Sequence, residues 1–259
     1  MKKYPATIIF LMVFVFAGLA FPETSREGDE FFEKSKDYKA MIPIKVMRKI
    51  KLPPGGYHEG ILVEKNRILV NNGDKKNTWA IDRKTGDLLS EIIPVATFSE
   101  GITRTPDGGY WLTDWDTCKL YRIKFEKNKM VPEFEVSFQP SHPTGVVWGG
   151  NHLYVITWTR GIGTRYDLLK LDTEGNVLQE ARMKDIQEPS QIAWDGKDLW
   201  ISSWFQRRAY KIDTDTLEIK GYFRTKIDKT TGIAWDGKYF WLTGTKADLY
   251  QVEVLSPEE

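Results

Sequence analysis

The chain has 259 residues, enough for one all-β domain with a large core, and its 37 Lys and Arg nearly balance its 36 Asp and Glu to leave a net charge of +1. With no field of one sign to recruit it, no nucleic-acid partner is expected, and none is expected from an anionic membrane surface. Aromatic residues make up 13% of the chain, including 10 Trp and 11 Tyr, and suit sheet packing or stacking on a flat ligand; the single cysteine, Cys118, excludes an internal disulfide.

In chain order, Lys2 and Lys3 precede an apolar run from Ala6 to Phe21, and Gly18-Leu19-Ala20 offers the small residues a signal peptidase reads. Residues 1–20 therefore read as an export signal, which predicts a periplasmic or secreted protein. A retained anchor is the alternative, although the run is short of the ~20 residues of a spanning helix. Beyond this signal no membrane contact is expected. Residues 21–42 are rich in Glu, Lys, Ser and Asp without periodicity and read as a linker, disordered or briefly helical.

From about residue 43 to 257 the sequence repeats, and the repeat dictates the architecture. Gln191-Ile192-Ala193-Trp194-Asp195-Gly196-Lys197 matches Gly232-Ile233-Ala234-Trp235-Asp236-Gly237-Lys238. Extending that pair outward gives five copies whose first strands begin at Gly60, Gly101, Gly145, Gln191 and Gly232, spaced by 41, 44, 46 and 41 residues. Second strands are predicted at Ile68–Asn71, Tyr110–Thr113, Leu153–Ile156, Leu199–Ser202 and Phe240–Thr243, each followed by a third and usually a fourth. Turns such as Lys84-Thr85-Gly86, Pro106-Asp107-Gly108 and Glu174-Gly175-Asn176 carry residues that accept positive φ. Four strands per repeat of this length is the pattern of a five-bladed β-propeller. The fifth copy has only three strands, and the unassigned strand Lys45–Leu52 is predicted to complete it, a 3+1 closure.

In such a blade the loop entering the innermost strand and the loop after the second strand open on one face of the disc. Before the first strands stand Glu59, Glu100, Thr144, Ser190 and Thr231; after the second strands stand Gly73, Trp115, Trp158, Trp204 and Thr245, with Lys246 next to the last. This is an aromatic pocket with an ionisable floor, in which a desolvated carboxylate would hold its proton to near neutrality. The alternative for each indole is packing between blades. Trp111, Trp200 and Trp241, inside second strands, are assigned to the core. The three histidines show no metal-ligand spacing, and no Cys–His pattern marks Cys118 as a nucleophile. No cofactor or catalytic metal is called for, although aspartates in the turns could hold a structural calcium ion.

These residues resemble a family, the five-bladed glutaminyl-peptide cyclotransferases of plants and bacteria. Phe98-Ser99-Glu100-Gly101-Ile102-Thr103 is similar to its Phe-Gly-Glu-Gly-Leu-Thr motif, and Tyr57-His58-Glu59-Gly60-Ile61 to its Phe-Thr-Gln-Gly-Leu motif. Thr231-Gly232-Ile233-Ala234-Trp235-Asp236 with Leu242-Thr243-Gly244 resembles its closing segments. The resemblance implies conversion of amino-terminal glutamine to pyroglutamate, a small peptide as substrate, and a monomer. It makes Glu100 the acid/base carboxylate, Trp115 and Trp204 substrate-holding indoles and Lys246 the site lysine. The chain departs from the family where Glu59 replaces Gln, Ser190 replaces Asn and Asn71-Asn72-Gly73-Asp74-Lys75-Lys76 replaces a Ser-Thr-Gly-rich loop. A non-catalytic propeller binding peptide, glycan or protein on the same face, and a metal-dependent lactonase-like hydrolase, are the other readings.

Overall fold

The computed structural model describes residues 41–255, and the expectations for the export signal and for all but the end of the linker lie outside the described residues. The described chain forms five four-stranded antiparallel sheets. Blade 1 is β2 (His58–Val63), β3 (Arg67–Asn72), β4 (Asn77–Asp82) and β5 (Leu88–Ile92). Blade 2 is β6 (Ser99–Arg104), β7 (Tyr110–Asp114), β8 (Lys119–Glu126) and β9 (Lys129–Ser137). Blade 3 is β10 (His142–Gly149), β11 (His152–Thr159), β12 (Arg165–Leu171) and β13 (Val177–Arg182). Blade 4 is β14 (Pro189–Trp194), β15 (Leu199–Ser203), β16 (Arg208–Ile212) and β17 (Ile219–Arg224). Blade 5 is β18 (Thr230–Trp235), β19 (Phe240–Gly244) and β20 (Asp248–Val254), and β1 (Ile44–Lys51) pairs antiparallel with β20 as its outer strand. The 3+1 closure is thus present, and the packing of β18 against β2 closes the ring.

Apolar faces of neighbouring blades form the core. Ile68, Val70, Trp79 and Trp241 fill the space between blades 1 and 5, and Trp200, Phe223, Phe240 and Leu242 that between blades 4 and 5. Trp111, Trp200 and Trp241 are at most 2% exposed. The repeated Trp-Asp-Gly-Lys turn explains itself locally. Asp195 Oδ1 accepts the amides of Lys197 and Asp198 while Oδ2 accepts Trp200 Nε1 at 2.7 Å, and Asp236 does the same for Lys238, Tyr239 and Trp241. One carboxylate therefore closes the turn and satisfies the buried indole N–H of the next strand. Asp82, Asp172 and Asp213 likewise accept main-chain amides of their own turns. These bonds give the turn aspartates a role in the fold, and among the described residues no three His, Cys, Asp or Glu side chains gather as metal ligands.

The inner strands begin two or three residues earlier than the repeat alone predicts, and each carries a register shift near its start. Glu59 and Glu100 consequently lie inside β2 and β6 at bulges rather than in loops before them. The bulge glycines are required sterically: a Cβ on Gly60 would stand 2.4 Å from the Glu100 carbonyl oxygen, and one on Gly101 2.6 Å from the Val146 amide nitrogen. At this level a side chain bonds a main-chain carbonyl across every blade junction. Asn71 Nδ2 donates to Glu100 O (2.8 Å), the Thr113 hydroxyl to Thr144 O, Thr144 Oγ1 to Pro189 O (3.5 Å), Ser190 Oγ to Thr230 O (2.7 Å), and the Thr231 hydroxyl to His58 O. The five bonds lock the inner strands and set the height of the bulge residues in the ring.

Candidate functional site around a buried carboxyl pair

Bulges in adjacent blades bring Glu59 and Glu100 together at the mouth of the ring, 3% and 9% exposed. The two carboxyl groups share a hydrogen bond, with Glu59 as donor, because burial, the Glu100 charge and Asp74 hold its proton well above the usual carboxylate range. Burial also raises Glu100, to about 8; the Gln191 amide pulls it down, Asp116 pushes it up, and the bond from Glu59 pulls it down again. Glu100 is therefore the member that ionises first as pH rises, at a pH where a proton can be both taken and returned.

Gln191 is the residue that sequence reasoning missed. It occupies the position held by glycine in the other four copies, is 2% exposed, and reaches past blade 3 to place Nε2 3.3 Å from Glu100 Oε2. The break in an otherwise uniform glycine column was the signal available.

Two aromatic groups stand around the mouth. In the first, Trp115, directly after β7, stacks on His142 (4.6 Å, 25°) and meets Trp158 edge to face at 5.4 Å, with the Arg160 guanidinium 4.7 Å over its ring. Trp158 lies within β11 rather than in the loop after it, and its Nε1 donates to Pro189 O at 2.7 Å. In the second, Trp204 meets Tyr57 at 5.9 Å and Phe205 at 6.3 Å, Tyr57 meets Phe98 at 6.5 Å, and the Lys229 ammonium lies 5.8 Å over the Trp204 ring. The three indoles expected around one hollow thus fall into two groups, Trp115 with Trp158 and Trp204 with Tyr57. Tyr57 and Phe98 belong to the motifs around Glu59 and Glu100, one residue before each strand start, and complete the second group.

Two other anticipated residues are engaged elsewhere. The Ser190 hydroxyl, 4% exposed, bonds Thr230 O and Ser202 Oγ in the junction between blades 4 and 5. The Lys246 side chain is 76% exposed at the rim, its ammonium 3.9 Å from Asp228, which also holds Arg207 at 2.5 Å. Glu188, half-buried one residue before β14, is raised by burial against the opposing Arg160 and Lys229 charges.

The structure does place a histidine beside the cysteine, with Cys118 Sγ 3.4 Å from His142 Nδ1. The same nitrogen is 2.8 Å from Trp115 O, a group that can only accept, so Nδ1 carries its hydrogen and offers no lone pair to the thiol. Burial further raises the Cys118 thiol, and the pair lacks the chemistry of a nucleophile. On the opposite face of the disc a hollow of about 640 Å³ lies between blades 2 and 3, with Arg122, Phe134 and Trp148 in its lining and no predicted site residue.

No family model matches the chain, and no curated protein matches it. Among solved structures it is similar to the glutaminyl cyclase of Myxococcus xanthus, with a TM-score of 0.69 at 12% identity over 84% of this chain and 100% of that one. It is also similar to the PQQ-bound aldose sugar dehydrogenase of Streptomyces coelicolor, with a TM-score of 0.55 at 14% identity over 84% and 100% of the two chains. At these identities the likeness is one of propeller fold.

Proposed function

We propose that the chain cyclises amino-terminal glutamine to pyroglutamate with release of ammonia, at the mouth of the ring and outside the cytoplasm. The observation that carries the reading is the burial of Glu59 and Glu100 together from adjacent blades, with the Gln191 amide 3.3 Å from Glu100 Oε2; burial raises both carboxyl groups, Glu100 to about 8. The substrate's α-amine nitrogen attacks the carbon of its own γ-amide, forming the ring C–N bond and a tetrahedral oxyanion. Glu100 accepts the proton released by the amine and returns it to the departing amide nitrogen; the C–NH2 bond breaks and ammonia leaves. Glu59 keeps its own proton and donates it to the bond with Glu100, which leaves Glu100 as the base of the pair. The aromatic groups of Trp115 with Trp158 and of Trp204 with Tyr57 hold the glutamine side chain folded for attack. Lys246 stays at the rim, as a charge over the approach.

The test is ammonia release from a glutamine-initiated peptide, repeated with Glu100→Gln, for which a loss of roughly 10²–10⁴-fold is expected. A parent protein that turns over no such peptide ends this reading, and saturable binding without product supports a non-catalytic propeller instead.

A further inference from the structure

The glycine column of the inner strands has a physical cause, since each blade's bulge sits against the backbone of the next. Blade 4 breaks the column with Gln191, whose long polar side chain is almost wholly buried. A buried primary amide carries two donors and an acceptor that must be matched. Here Nε2 points at Glu100 Oε2, 3.3 Å away, and Oε1 lies 3.1 Å from where a Cβ on Gly101 would be, so the amide is packed against the blade 2 bulge that bears Glu100. A substitution away from the repeat that is buried, polar and aimed at one carboxylate has no counterpart at the other junctions.

We propose that Gln191 is the positioning residue of this site, its amide holding the Glu100 carboxylate in one orientation and assigning the shared proton of the pair to Glu59. The proposal rests on the reading of Glu100 as the proton acceptor, but its physical content is separate from turnover. The groups that act on the pair are known: Gln191 from blade 4, Asp74 from the loop after β3 and Asp116 from the loop after β7. Of these only Gln191 donates a hydrogen bond to Glu100 and favours its ionised form; Asp116 opposes ionisation of Glu100, and Asp74 opposes that of Glu59. Without the amide, Glu100 loses the donor that distinguishes it from Glu59, and the two carboxyl groups compete for the proton on more equal terms.

The experiment compares the full chain with Gln191→Met, which keeps length and volume but has no N–H donor. The carboxyl carbons of glutamate are labelled with ¹³C and titrated by NMR, with Glu100→Gln used to assign the resonance. Loss of a hydrogen bond to a charged group should move the Glu100 midpoint upward by about one pH unit or more. In parallel, the alkaline shift should appear in the pH profile of kcat, with KM changed much less. Gln191→Asn, which keeps the amide but shortens its reach, replaces the Met variant should that fail to fold, and is expected to shift in the same direction. A Glu100 midpoint that stays within 0.2 pH unit, an approximate resolution of such titrations for a group of this kind, overturns the proposal. A protein that shows the NMR shift yet cyclises nothing retires the cyclase reading alone, and one that turns over with an unmoved titration retires the role of Gln191 alone.

Discussion

Replacing Glu100 with Gln should separate the stability of this site from its chemistry. The parent carboxyl titrates from 4.5 when unfolded to about 8 when folded, because burial disfavours its charge. Below pH 4.5 both states hold the proton and the folded protein has its full stability; as pH rises through 8 the unfolded chain has ionised and the folded one resists, so stability is lost. At about 1.4 kcal/mol for each pH unit separating the two midpoints, the full loss is about 5 kcal/mol, of which about 4 kcal/mol falls between pH 5 and 8. Glutamine has nearly the same shape and no charge, so Glu100→Gln should match the parent at pH 5 and exceed it at pH 8. Without the Glu100 charge Glu59 also loses one of the influences that raise it, which acts in the same direction and adds to the advantage of the variant at pH 8. In urea, with a slope of about 2 kcal/mol/M, the midpoint of the variant at pH 8 should lie roughly 2 M higher, read by tryptophan fluorescence. A stability difference that is the same at both pH values would show that Glu100 is not held neutral by burial, and the assignment of acid and base in the pair would fall with it.

Three further outcomes follow from the same geometry. If Glu100 is the acceptor, kcat should climb with pH and level off above about 8, the direction set by its raised midpoint; a flat profile between pH 6 and 8 points to another base. Trp204→Ala should raise KM by about 10-fold, equivalent to ~1.4 kcal/mol of lost aromatic contact, and fluorescence quenching by a bound peptide should weaken in step; an unchanged KM places the substrate away from this group. Gly60→Ala puts a Cβ 2.4 Å from the Glu100 carbonyl oxygen, a main-chain atom fixed by Asn71, so a loss of about 3 kcal/mol in urea unfolding is expected, and a loss within experimental error contradicts the close approach of blades 1 and 2.

The number of blades and the 3+1 closure were legible in the sequence, because a blade is specified locally. Strand alternation, the Asp-Gly turns and the spacing between copies are properties of short segments, and the Trp-Asp-Gly-Lys turn carries its own hydrogen bonds wherever it occurs. The buried positions of Trp111, Trp200 and Trp241 follow from the same alternation. Tertiary structure alone decided how the candidate site is assembled. The approach of Glu59 to Glu100, the reach of Gln191 across the ring, the engagement of Ser190 in a blade junction and the division of the indoles into two groups all depend on bulge register and on contacts between residues far apart in the chain. Burial then creates the chemistry, since Glu100 acquires a midpoint near neutrality only when the folded ring takes it out of water.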